Sequence, residues 1–426
     1  MTRTLRVTTV LVFLGVACRT VVEPQLPEPH APQLAAQPLS HAACVDLALR
    51  SVPNHAGWQA RLLAAKAQVR AAGTLPNPRL NASWEDFGIG GAAHPVQQTF
   101  GIAFALEALL ARGRREAAAT HQLAAEIADL RAEQVLVAVA VAKAYDRLCT
   151  DRLRVALRRE GLVMTERGKD ALAKFVEAGL EAKVALDRAA VEAARARAEV
   201  ARAQAQERLD EIELAFALGF ARPVALQLSE PMTPADTIQI VDLQELLRQA
   251  AVARPELAAA QERYAAELER AHLQAAGLRF LPTATFGPRI ESGEVRGVAS
   301  LDVELPIFDS GSAADAAQNA TLLASAAEAR RQAQKVASEV AMAVERHAGA
   351  AQLVVRELDP LAAARRGIRE QLERLFAAGE VSFFEVITAR RDEIEAALDA
   401  LAARAALSEA CLDLDAALGR VRVSQS

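Results

Sequence analysis

The sequence predicts a mainly helical chain with a smaller β component, built as two tandem repeats in which long antiparallel helices alternate with pairs of strands. Three observations carry this. First, the prolines are confined: nine lie between Pro24 and Pro95, seven between Pro223 and Pro306, and only Pro360 follows. Proline interrupts a helix interior at about 3 kcal/mol, so the two proline-poor zones are where very long helices can exist. Second, 52% of residues are hydrophobic, yet the aromatics are only 13 Phe, 2 Trp and 2 Tyr. The apolar content is mostly Ala, Leu and Val, which favours long helices over one large globular core. Third, Ala178-Gly179 recurs as Ala378-Gly379 and Leu218-Gly219 as Leu418-Gly419, both displaced by 200 positions, the mark of an internal repeat.

The N-terminus comes first in chain order. Arg3 and Arg6 precede an apolar stretch that ends in Gly15-Val16-Ala17, so residues 1–17 read as a secretory signal peptide. Cys18 follows directly, and residues 18–40, rich in proline, are expected to be extended. The small residues before Cys18 resemble a bacterial lipobox, which makes Cys18 a lipidation site; ordinary cleavage that leaves Cys18 unmodified is the alternative. Arg19 in the next position, rather than Asp, implies the outer membrane under the rule for such lipoproteins.

The first repeat is assigned to residues 41–219. Pro53 opens a helix that runs to Ala72, and Gly73-Thr74-Leu75-Pro76-Asn77-Pro78 ends it. Strands are expected at about 79–88 and 98–107, followed by Gly113 and a helix over 114–177. Those 64 residues would extend roughly 96 Å, too long for a compact domain and suited to coiled-coil packing. A returning helix occupies 182–218, and 220–240 is a proline-bearing linker expected to run over the outside. The second repeat, 241–420, follows the same plan. Pro255 opens a helix, strands are expected at about 283–291 and 297–306, and Gly311 precedes a helix over 312–376. A returning helix spans 382–419, and 421–426 is a tail. Gly161, Gly168 and Pro360 are candidate bends.

The strands carry the more specific signal. Leu80, Ala82 and Trp84 alternate with polar neighbours, as do Phe100, Ile102 and Phe104, then Ala284, Phe286 and Ile290, then Ala299, Leu301, Val303 and Leu305. Segments of about nine residues with one apolar face suit a barrel wall in a bilayer, or else two hairpins lying on helices. Four strands cannot close a barrel, and open edges are not viable in lipid, so a spanning barrel requires an oligomer of two, three or more chains.

The order of elements resembles the TolC family of bacterial outer-membrane efflux proteins. The residues that carry it are Leu75-Pro76-Asn77-Pro78 and Leu281-Pro282 before the strands, Phe308-Asp309-Ser310-Gly311 after them, and the run from Gly379-Glu380-Val381-Ser382 to Ala389-Arg390. The resemblance implies a homotrimer whose chains each give four strands to one 12-stranded transmembrane β-barrel, continued by a helical α-barrel across the periplasm. It implies an outer-membrane location with lipid contact, and as partners a periplasmic membrane-fusion adaptor and an inner-membrane efflux pump. The lipid anchor and the run from Leu75 through Asp86-Phe87 to Arg114-Arg115 are closest to the heavy-metal cation efflux branch. The function so implied is that of a passive duct with a gated tip; a periplasmic coiled-coil adaptor or scaffold lipoprotein is the alternative.

Neither an enzyme nor a nucleic-acid binder is expected. The net charge is −5, against the basic balance of nucleic-acid proteins. The 7 histidines are scattered without metal-ligand spacing, and no catalytic, metal or cofactor constellation is assigned. The resemblance places the gate where the long helices turn, near 172–189 and 372–389. By position in the family motif, the constriction carboxylates fall on Glu385 and Thr388, so one acid remains. The family's tethering arginine and its aspartate partner fall on Val381 and Ala185. Lys183, Asp187, Arg390 and Arg391 are therefore the remaining gate candidates. Gly179, Leu180, Gly379, Glu380 and Val381 are the positions at which the resemblance places adaptor contact.

Overall fold

A computed structural model of the chain describes residues 38–85, 97–229 and 242–420. The signal segment 1–17, Cys18, the first strand's expected end with Asp86-Phe87, and the tail 421–426 lie outside the described residues. The chain opens with α1 (His41–Arg50) and α2 (Val52–Ala72). Ser40 caps the first by accepting from the Ala43 N–H at 3.2 Å, and Pro53 sits in the first turn of the second, where its missing N–H leaves no helical bond unmade.

Strand β1 is Arg79–Glu85, and β2 (Gln97–Ala105) leads without a break into α3 (Leu106–Glu177), which has 72 residues and is about 108 Å long. Two boundaries differ from the sequence reading here. The second strand ends at Ala105 rather than 107, and the long helix begins eight residues before the expected 114. Gly113 lies inside the helix with nothing within 4 Å of the place a Cβ would occupy; glycine in a helix interior costs only about 1 kcal/mol, which the flanking alanines and leucines offset. The chain returns through α4 (Lys183–Ala217).

The second half runs α5 (Leu243–Ala253), α6 (Pro255–Ala275), β3 (Thr283–Glu291) and β4 (Glu294–Asp302). The fourth strand was expected at 297–306. Instead Ser292 and Gly293 adopt φ of 53° and 88° and close a two-residue hairpin, the geometry that matches the twist of antiparallel strands. The strand therefore begins at Glu294, and residues 303–306 lie beyond it. Then come α7 (Ser312–Gln352), a π-helical segment (Leu353–Leu358), α8 (Asp359–Ala377) and α9 (Phe383–Ala417). The helix expected as one piece over 312–376 is thus divided just before Pro360, whose ring and missing N–H disfavour a continuous α ladder.

The four strands form one antiparallel sheet in the order β1-β2-β3-β4, and β2 pairs with β3 across the two halves of the chain. The sheet stands at the N-terminal end of α3. Below it, α3 packs along α2 and α6, with Trp58 donating to Glu133 and Arg263 paired with Asp129. Further along, it packs along α4 and α9, through Arg158 to Glu199 and Lys143 to Asp413. The apolar core gathers at this level. Val45, Tyr145, Leu148, Leu214 and Leu218 are fully buried, and Phe220 and Leu226 of the segment assigned to the linker pack into the same cluster. Each such side chain contributes about 1.5–3 kcal/mol by leaving water. A second cluster joins α5, α6, α7 and α9 around Val340 and Leu414.

Two glycines separate local propensity from close packing. A Cβ at Gly287 would collide with the backbone carbonyl of Phe100, so β2 and β3 approach as closely as only glycine allows. Gly287→Ala is expected to break the β2–β3 ladder, read as loss of β signal in circular dichroism and of assembled protein. Gly113→Ala should raise stability by about 0.5–1 kcal/mol in denaturant unfolding.

Candidate functional site

Two regions at opposite ends of α3 stand out: one face of the sheet and the paired helical turns. In the sheet, directly paired residues share a face. Leu80 pairs with Ile102 and Ala82 with Phe100; Ile102 pairs with Phe286 and Phe104 with Ala284; Phe286 pairs with Ala299, Ala284 with Leu301 and Ile290 with Val295. One face is therefore apolar across all four strands, and among the described residues Gln98 is its one polar member. The sequence alternations of the first three strands fall on this same face, with Ala299 and Leu301 of the fourth, while Val303 and Leu305 lie beyond its end. The opposite face carries Arg79, Glu85, Arg289, Glu291, Glu294, Arg296 and Asp302. On the apolar face, Leu80 is 68% exposed, Trp84 63%, Phe286 57% and Leu301 65%. A bare apolar surface of this extent needs an apolar environment or a partner. Among the described residues β1 and β4 also each have one edge without a partner strand, a row of backbone groups open to further pairing.

At the far end, α3 turns into α4 and α8 into α9 by the same device. Gly179 and Gly379 have φ of 73° and 78°. The N–H of Leu180 bonds to the Phe175 carbonyl and that of Glu380 to the Leu375 carbonyl, both at 2.9 Å, which satisfies the helix ends. The two turns are neighbours. Phe175 and Phe384 meet with ring centroids 6.1 Å apart, and Gly168 lies against Ile387. Between the turns lies an apolar cavity of about 720 Å³ lined by Phe175, Leu180, Phe376, Val381 and Phe384. Of the proposed contact residues, Leu180 and Val381 thus meet in one cavity, flanked by Gly179, Gly379 and Glu380.

The gate candidates have diverse surroundings. Glu385 completes a capping box: its carboxylate accepts from the Ser382 N–H at 2.8 Å, and the Ser382 hydroxyl accepts from the Glu385 N–H at 3.3 Å. Thr388 donates its hydroxyl to the Phe384 carbonyl at 2.8 Å within its own helix. Arg390 bridges three helices, reaching Glu160 of α3 at 2.8 Å and Glu373 of α8 at 3.4 Å. Arg391 approaches Glu192 of α4 only to 3.9 Å. Lys183 and Asp187 stand at the exposed start of α4, where a lysine opposes the helix dipole.

Sequence reasoning missed the network around Arg369, which is paired with Glu373 at 2.7 Å and Glu393 at 3.0 Å. Beside it, Arg365 pairs with Asp392 at 2.9 Å. Arg369 and Glu373 are an i,i+4 pair within α8, but the pairs to Glu393 and Asp392 join two separate helices, and charge spacing gives no signal for those. Phe175 and Phe376, each just before an Ala-Gly turn, were a legible signal in a chain so poor in aromatics. Ser382→Ala should destabilise the start of α9 by about 1 kcal/mol, measurable as faster amide exchange over residues 382–386.

Comparison with known proteins follows this geometry. Residues 44–220 match the family described as outer membrane efflux protein. No curated protein matches the chain in sequence. The structure is similar to that of the outer-membrane channel OprN, with 21% identity, a TM-score of 0.70 and 89% of each chain covered. It is similar to CusC, described in connection with transmembrane channel formation, at 20% identity and a TM-score of 0.71, covering 94% of this chain and 99% of the other. It is also similar to the open state of the Neisseria gonorrhoeae MtrE outer membrane channel, at 17% identity and a TM-score of 0.68, covering 95% and 98%. The chain thus has the fold of the outer-membrane efflux channels, and its first half carries the sequence pattern of the outer membrane efflux protein family.

Proposed function

We propose that this chain is the outer-membrane duct of a tripartite efflux system, a channel without chemistry of its own. The observation that carries this reading is the four-stranded sheet with one continuous exposed apolar face, a charged opposite face and, among the described residues, two unpaired edges. β3 and β4 have nine residues each, the length that crosses the hydrocarbon layer when tilted. Three copies would join β4 of one to β1 of the next and close 12 strands, with the apolar face to lipid and the charged face to the lumen. A periplasmic adaptor or scaffold, the alternative left by the sequence, has no use for such a face. Two matching halves, each with two strands and a helical hairpin, are consistent with a tandem duplication.

In this reading α3 and α4, with α8 and α9, descend into the periplasm as part of an α-barrel. Their paired turns form the tip, and the apolar cavity between Gly179-Leu180 and Glu380-Val381 receives the adaptor, which connects to an inner-membrane pump. Arg390, Glu160 and Glu373 hold α9 and α8 to α3 some turns above the tip, and Lys183, Asp187, Thr388 and Arg391 are the other gate candidates. Each exposed ion pair contributes only about 0–1 kcal/mol, so binding at the tip can separate them. Acylated Cys18 would anchor the trimer to the membrane, and placement in the heavy-metal cation efflux branch rests on that anchor and on the 75–115 run.

The test is conductance in planar bilayers, with particle mass in detergent taken from the same preparation. A trimeric mass and a stable pore are expected; a monomer soluble without detergent and without conductance would overturn the reading. Glu385→Gln retains an acceptor for the capping box and should lower cation selectivity. Arg390→Ala should raise the open fraction several-fold.

A further inference from the structure

A buried acidic pair in the shaft has no part in the duct as described. Asp151 of α3 is 3% exposed and Asp210 of α4 is 8% exposed. Both line a cavity of about 330 Å³ between α3, α4 and α9, at the level where Arg152 of α3 reaches Glu207 and Glu211 of α4 on either side of Asp210. Asp151 pairs with Arg154, but its Oδ2 atom is buried and receives no donor. Asp210 accepts from Gln206 at 2.8 Å.

The surrounding charges do not neutralise the pair. On α3, Lys143 is held by Asp413 and Glu409 at 2.6 and 3.3 Å, and Arg147 by Glu409 and Glu213 at 3.3 and 3.6 Å. Asp146, also on α3, accepts from Ser408 of α9. On α4, Glu207 adds negative charge and faces Arg152 at 3.7 Å. From α9, Glu409 lines the cavity. Arg154 thus offsets one carboxylate and leaves the other. Among the described residues no group of three or more His, Cys, Asp or Glu side chains is placed to hold a metal ion. Two carboxyls, both acceptors when ionised, bond to each other only when one carries a proton.

We propose that Asp151 and Asp210 bind a single proton between them and form an acid-strengthened clasp joining α3 to α4 within the shaft. Burial is the first cause that raises Asp151, to about 6, and its bond to Asp210 is the second. In the unfolded chain an aspartate titrates near 3.9, about two pH units lower. The folded state therefore holds this proton more tightly, so the clasp contributes fully below the unfolded value and is lost as pH rises through about 6. Carboxylates paired with cations behave oppositely: Glu133, lowered chiefly by its bond to Arg61, loses its contribution as pH falls.

The experiment is thermal unfolding of the full chain in detergent between about pH 5 and pH 7.5, the window spanning the raised value. The wild type should lose thermal stability as pH rises through about 6. Asp210→Asn supplies the missing donor without a titrating group, and should flatten this dependence and raise Tm at the upper pH. A wild type with no such dependence, or a variant that keeps it, overturns the proposal. Infrared spectroscopy of the wild type alone decides the case where the variant does not fold. A protonated-carboxyl band that disappears near pH 6 supports the clasp, and one that disappears near 4 or is never present refutes it.

Discussion

The β2–β3 ladder is the contact on which the rest of the architecture depends. Its strands come from opposite halves of the chain, with α3, α4, α5 and α6 between them, so the pairing closes a very long loop and must offset the entropy of that closure. It does so through a run of backbone bonds and through Gly287, whose missing side chain lets the Phe100 carbonyl approach. Once the ladder forms, the strand-bearing ends of the two halves are fixed side by side. α3 is then bound to align with α6, and α7 with α9, over their lengths.

The far end is organised on a different principle. Few side chains near the tip are fully buried, and α8 has none. What holds α8 to α9 is largely charge: Arg365 with Asp392, Arg369 with Glu393, and Arg404 with Asp359 at 2.8 Å. Partly exposed pairs of this kind are weak singly and lose strength with salt. The molecule thus combines a shaft fixed by burial with an end fixed by interactions that can be exchanged for those of a partner.

Much of this was legible in the sequence because it depends on short-range chemistry. Proline spacing located the helical hairpins, and Gly179 and Gly379 marked the turns through their left-handed backbone. Strand parity placed Leu80, Ile102, Phe286 and Leu301 on one face before their pairing was known. The start of α3 was misplaced because Gly113 is tolerated inside a helix, and β4 because Ser292, an ordinary L residue, takes positive φ in the hairpin. The bonds from α8 to α9 at Arg365 and Arg369, and the Asp151–Asp210 pair, were invisible, since each joins side chains on different helices whose relative rotation no single segment encodes. Glu385 stands in the sequence as a gate candidate, and its bond to Ser382 follows from the Ser-x-x-Glu spacing of a capping box.

The π-helical segment between α7 and α8 changes the rotational phase of everything after it. A π turn accommodates an extra residue, and in an α-helix one residue corresponds to about 100° of rotation. Ahead of it, α7 turns Val336, Val340 and Val344 inward to the cluster shared with α9; after it, α8 presents Arg365 and Arg369 to the same helix. An apolar seam and an electrostatic seam are thus written on one helix and aimed at one neighbour. Because the π turn holds one residue in surplus, a single-residue deletion there would restore a continuous α-helix and leave α8 facing α9 as it does now.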